Sequence, residues 1–109
     1  MAAKKWKPVK VTHVEDVIAE DWWDIRHRGK AAVVHIAVGR ALPHPSGGAW
    51  YCPVLVEGFP GLSGYWRPIA GVGPVDSTSN AFQLISILFE GLEASPRGGT
   101  PPRGKRRLS

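Results

Sequence analysis

Four histidines, His13, His27, His35 and His44, and the single cysteine, Cys52, could supply a metal site or a nucleophile and its base. Zinc sites usually draw their ligands in pairs, two histidines one helical turn apart or two cysteines separated by two residues. None of the five has either spacing, so the sequence predicts no metal and no other cofactor. Nucleophilic catalysis would need Cys52 or a serine beside a base. Cys52 falls between Trp50 and Val54 on the apolar side of an expected strand, where burial raises a thiol pKa and hides the sulfur from substrate. Gly61-Leu62-Ser63-Gly64 is only superficially similar to a G-x-S-x-G nucleophile turn. Gly58, Gly61 and Gly64 precede a strand, not the helix N-terminus that a phosphate-cradling loop opens. The carboxylates Glu15, Asp16, Glu20, Asp21 and Asp24 read as a solvated face. No nucleophile, base or metal constellation converges, and the sequence predicts a protein that is not an enzyme.

The charge is segregated. All nine acidic residues lie between Glu15 and Glu93, whereas nine of the fourteen lysines and arginines lie outside that stretch. The middle is therefore net −4 and the two ends together +9, within a total of +5. Lys4, Lys5, Trp6 and Lys7 in the leader, and Arg97, Arg103, Lys105, Arg106 and Arg107 in the tail, are the candidate contacts to nucleic acid. Such segments attract phosphates without sequence preference, while arginine or tryptophan stacks on unpaired bases. A folded nucleic-acid reader would also carry basic residues on its sheet, and only Arg67 qualifies. Weak, nonspecific nucleic-acid binding through the tails is thus the alternative function, beside basic ends that serve only solubility.

A chain of 109 residues makes one domain. A lone cysteine permits no intrachain disulfide, as in reducing compartments. The leading lysines have no apolar run behind them, which argues against a secretory signal. Ala81 to Leu92 is interrupted by Gln83, Ser86, Glu90 and Gly91, so no stretch reaches the ~20 apolar residues of a membrane span. These features predict a soluble cytoplasmic protein with a basic leader over 1–13, an α+β domain over 14–94, and a disordered Pro/Gly/Arg tail over 95–109.

Period-two alternation over 31–39, 49–57 and 65–72 predicts three strands. The segment 14–26 is ambiguous: Val14, Val17, Ile18, Trp22 and Ile25 have helical spacing, while Trp23 and Ile25 alternate with Asp24 and Arg26, and it is read as a fourth strand from about 21 to 26. Pro53 and Pro68 each remove a ladder donor and predict an edge or a bulge. Ala81, Leu84, Ile85, Leu88 and Leu92 share one helical face, predicting a helix over 77–93 capped from Asp76-Ser77-Thr78-Ser79, with Pro74 discouraging an earlier start. The expected fold is α+β: a four-stranded, mainly antiparallel meander with one long C-terminal helix on one face.

The order of short motifs is familiar. Val38-Gly39-Arg40, then Trp50-Tyr51-Cys52-Pro53-Val54, then Arg67-Pro68-Ile69-Ala70-Gly71-Val72 and a helix opening at Asp76-Ser77 together resemble a family of short uncharacterised bacterial domains with an "IGRP … W-x-C-P … GVDS-x-QAL" pattern. The likeness covers about residues 20–93. Here Gly73 and Pro74 are inserted before Val75-Asp76-Ser77, and Asn80-Ala81-Phe82-Gln83-Leu84 replaces the expected Gln-Ala-Leu. The resemblance implies strands followed by a helix and a bacterial or phage setting, and no activity.

If the helix covers Val34, Ile36, Trp50, Cys52 and Val54, the opposite face is left with Tyr51, Leu55, Tyr65, Ile69 and Val33, with Trp66 at the strand edge. A bare sheet face is normally polar, and a contiguous apolar patch marks a docking surface. Tyr51, Leu55, Tyr65, Trp66 and Ile69 are therefore the candidate interface with an unknown protein partner or with a second copy. The sequence predicts an interaction or self-associating module.

Overall fold

β1 (Val17–His27) and β2 (Lys30–Gly39) form a long antiparallel hairpin. Its two central residues, Arg28 and Gly29, both have positive φ, 52° and 77°, the requirement of a tight turn whose twist matches the strands. The pairing explains why the ambiguous segment is a strand and why it begins earlier than expected. Each of its residues from Ala19 to His27 has a partner on β2, from Val38 to Lys30. The chain continues through β3 (Leu42–Pro43), β4 (Trp50–Glu57) and β5 (Tyr65–Gly71) into α1 (Pro74–Phe89) and β6 (Glu93–Pro96). The computed structural model describes residues 10, 11, 13–62 and 65–108, the side chains of Tyr65 and Trp66 excepted.

Among the described residues the architecture is α+β, a mainly antiparallel sheet of six strands with one helix. β5 pairs β4 from Trp50 to Val56, so β2, bonded at Val54–Glu57, and the short β3, bonded at Trp50–Tyr51, must share β4's other edge. β1 follows β2, and β6 adds antiparallel to β1. Two strands thus exceed the expected four. β3 is too short to show a period. β6 falls across the boundary drawn for the disordered tail: Ser95 and Pro96 pair with Asp24 and Trp23.

Pro53 and Pro68 lie directly opposite each other. Neither has an N–H, and a hydrogen-bonded antiparallel pair exchanges two, so this pair belongs to the non-bonded class. The missing donor of Pro53 then faces the break between β2 and β3, and that of Pro68 faces the open edge of the sheet. Both prolines are accommodated with β4 central.

The helix begins three residues before the expected Ser77. Pro74 occupies the first turn, where its absent N–H costs nothing, and Gly73 is an N-cap without a side-chain hydrogen bond. Asp76, expected as a cap, instead accepts the Val72 N–H on Oδ2 at 2.9 Å. The helix ends at Phe89 and not at 93, because Gly91 turns the chain at φ 76° and Glu93 enters β6.

Val34, Ile36, Val38, Cys52, Val54 and Val56 form the core beneath Ala81, with Ile25 from β1 and Ile85, Leu88 and Phe89 from the helix packed on it. Phe89 stacks on Trp23 at 4.8 Å and meets Phe59 edge-on at 6.1 Å, fixing the far end of the helix. At the near end the backbone of Ser77 lies against Gly71, where a Cβ would come within 2.3 Å of the Ser77 nitrogen.

Replacing Gly71 with alanine must therefore push the helix from the sheet, and a loss of about 1–3 kcal/mol or more is expected in denaturant unfolding. Gly73→Ser, where a Cβ meets nothing within 4 Å and a hydroxyl supplies the missing cap, should leave stability unchanged or raise it by a few tenths of a kcal/mol. Equal midpoints for the two variants would contradict this helix placement.

Candidate functional site

Among the described side chains, the surface expected from the sequence is divided between the two faces of the sheet. Leu55 is 1% exposed, and Ile69 lies opposite Cys52 in the ladder and packs into the helix-side core. The register of β5 against β4 puts Ile69 on the helix side, away from Leu55. Tyr51 is half-buried and meets His44 edge-on at 6.4 Å. The backbones of Tyr65 and Trp66 pair with Val56 and Leu55, but their side chains lie outside the described ones.

The face opposite the helix is not bare. Trp22, Ala37 and Leu55 on it are as buried as the valines of the core. At one end Lys10, Val11 and His13 line a cleft with Leu42, Tyr51 and Pro53, and Val14 fills the space where a Cβ on Gly39 would stand. At the other end lies the segment after β6. The Arg97 N–H donates to the Trp22 carbonyl at 2.8 Å. The Arg97 guanidinium reaches Asp24 Oδ1 through Nε and Nη2 at 3.1 and 3.0 Å. The Gly99 N–H donates to Asp21 Oδ1 at 2.7 Å and the Leu108 N–H to Glu20 Oε2 at 2.8 Å. Residues 97–108 thus return over the acidic strand β1.

Of the candidate nucleic-acid contacts, Arg97 is taken up by Asp24, and Arg107 donates to the Gly99 carbonyl at 2.8 Å. Arg103, Lys105 and Arg106 are exposed. Lys4, Lys5, Trp6 and Lys7 lie outside the described residues.

Under this segment is a polar cluster that sequence reasoning missed. His35 stacks on Trp22, the rings 4.5 Å apart and 3° from parallel. Its Nε2 is 2.7 Å from Glu20 Oε2 and its Nδ1 3.4 Å from Glu57 Oε2. The available signal was the alternation itself, which puts Glu20, Trp22 and His35 on one face once β1 is paired with β2. A cleft of about 350 Å³ remains between Trp22, Val33 and His35 on the sheet side and Pro102, Lys105 and Leu108 on the tail side.

The second feature is an apolar groove of about 570 Å³ between the first half of α1 and the start of β1. Ile18, Ala41, Pro74, Val75 and Phe82 line it, together with Arg40, which is held by Asp16 at 3.1 Å. β1 shifts register between Val17 and Ala19; the extra residue is Ile18, whose side chain is left 52% exposed. Val75 and Phe82, seven residues apart and so on one helical stripe, are 81% and 43% exposed.

Cys52 is buried, and its Sγ donates to the Gly39 carbonyl at 3.3 Å. Desolvation pushes its pKa above the ordinary thiol value, against a smaller lowering by Thr78. Among the described residues no three of His, Cys, Asp and Glu are grouped to hold a metal ion, and no helix is long and apolar enough to cross a membrane. No protein-family model, curated protein or solved structure matches this chain.

The raised thiol pKa gives a signed expectation. The neutral thiol's contribution to stability is complete below the unfolded-state pKa and is lost as pH rises from that value through the higher folded one. Native protein should react with a thiol-disulfide reagent only as fast as it opens, and stability should decline over that alkaline window. A Cys52→Ala variant should lack this component of the decline. Rapid stoichiometric labelling of the native protein at neutral pH would contradict the burial.

Proposed function

We propose that this chain is a non-enzymatic protein-interaction module whose docking surface is the groove between α1 and the start of β1. The observation that carries this reading is the joint exposure of Ile18, Val75 and Phe82 around one apolar groove. Large apolar side chains grouped at a surface mark contact sites more often than scattered ones do. Strand addition is the less suitable route, since Pro68 interrupts the donors of the β5 edge and β6 has four residues ending in Pro96. The partner in this reading offers apolar side chains, and a second copy of the chain is the simplest candidate.

Light scattering across a concentration series, with an environment-sensitive apolar dye as second readout, tests the reading. The wild-type chain should gain mass with concentration or enhance the dye, and Val75→Asp with Phe82→Asp should abolish both while leaving the circular dichroism intact. A strict monomer that also ignores the dye would defeat it.

Association with nucleic acid through the basic segment is a second reading, favoured by the exposure of Arg103, Lys105 and Arg106 on one stretch and opposed by the pairing of Arg97 with Asp24. Three phosphate contacts imply a slope of log affinity against log salt near −2 to −3 on single or double strands. A substitution of all three by alanine should remove binding; a salt-independent affinity would exclude this mode.

A further inference from the structure

We propose that the sheet face opposite α1 is a binding site for a turn-forming, proline- and arginine-rich segment of another protein, and that residues 97–108 of this chain occupy it in cis. This goes beyond the groove reading and concerns the other side of the molecule.

The chemistry of the occupant is visible in how the resident segment is held. Its polar anchors on β1 side chains are carboxylates: Asp24 receives the Arg97 guanidinium, Asp21 the Gly99 N–H and Glu20 the Leu108 N–H. Bonds to main-chain N–H groups read a backbone of any sequence, whereas Asp24 selects a cation. Glu20 is fixed for this task by His35, which Glu57 holds from its other ring nitrogen. The floor is the stacked Trp22–His35 pair with Val33, and Pro102 and Leu108 face it across the cleft. The resident segment turns twice, the Thr100 N–H donating to the Arg97 carbonyl at 3.3 Å and the Lys105 N–H to the Pro102 carbonyl at 3.0 Å, and the fixed φ of Pro101 and Pro102 reduces the entropy lost on docking.

The resident fit is incomplete. A cleft of about 350 Å³ persists beneath it, and Leu108 is still 48% exposed. Gly98, Gly99 and Gly104 hold positive φ of 63°, 79° and 84°. Among the described residues the last backbone-to-backbone bond from this segment to β1 is that of Arg97 to Trp22, and the Arg97–Asp24 pair is open to screening by salt. A segment held in this way competes with an incoming one chiefly through its tether, which maintains a millimolar-range effective concentration.

The test uses a fluorescent twelve-residue peptide with the sequence of residues 97–108, titrated into full-length chains. A chain carrying Arg97→Ala and Leu108→Ala, its own segment weakened, should bind the peptide about tenfold more tightly than the wild-type chain. Adding Asp21→Asn and Asp24→Asn should cancel the gain. A peptide with both prolines replaced by glycine should bind less tightly than the original. Equal affinity for the wild-type and weakened chains, a gain that survives the Asn substitutions, or indifference to the prolines would each overturn the proposal. A second measurement needs no variant: in the wild-type chain the Gly99 and Leu108 amides should exchange with deuterium at least about a hundredfold faster than the β1–β2 ladder amides. Equal protection would mean that the segment leaves only on global unfolding, and the site would not be available to a partner.

Discussion

Burial of both faces of the sheet is the constraint from which the rest of the structure follows. β2 sends Val34, Ile36 and Val38 to one side and Val33, His35 and Ala37 to the other, and β4 does the same with Cys52, Val54 and Val56 against Pro53 and Leu55. Each fully buried Val, Ile or Leu is worth about 1.5–3 kcal/mol relative to exposure, so neither face can be left to water cheaply. The helix covers one face. The other is closed at its ends by irregular chain, with the segment around Val14 at one and the segment after β6 at the other.

The two covers differ in physical kind. α1 is fixed by close approach, its Ser77 backbone on Gly71 and its Phe89 ring on Trp23 and Phe59. Such contacts are short-range and tolerate no added volume. The segment after β6 is fixed by polar bonds to Glu20, Asp21 and Asp24, with a cleft still beneath it. Exposed ion pairs contribute little, about 0–1 kcal/mol. The charge segregation along the chain therefore has an intramolecular role, since part of the basic end neutralises the acidic strand that begins the sheet. It also leaves that cover weaker than the helix on the other side.

The groove at Ile18 arises from the same geometry. The register shift near the start of β1 turns Ile18 out, and the helix, anchored at Gly71, passes alongside without closing over it. Val75 and Phe82 remain exposed because their stripe faces away from the sheet, whereas Ala81, Ile85 and Leu88 face it. The width of the apolar helix face, more than one sheet contact requires, is thus used at the surface.

Features that depend on local period are legible in the residues alone. Alternation over 31–39 and 49–57 placed each residue on its correct face, and the spacing of Ala81, Ile85 and Leu88 identified the packed side of the helix. Tertiary structure decided what depends on pairing. Ile69 alternates properly within β5, but its face is set by the register against Cys52 across a Gly- and Pro-rich loop, which period cannot fix. β6 is four residues without a pattern, and it is a strand only because β1 offers an open edge where Gly91 returns the chain. The helix start at Pro74 was decided by the close contact at Gly71, and the Glu20–Trp22–His35 cluster by the pairing of two strands whose cluster-forming residues lie 13 to 15 positions apart in sequence. The charges of the tail were legible from composition. Where they went was not, because an electrostatic attraction has no period in the sequence and acts only once the fold has put the acceptors on one strand.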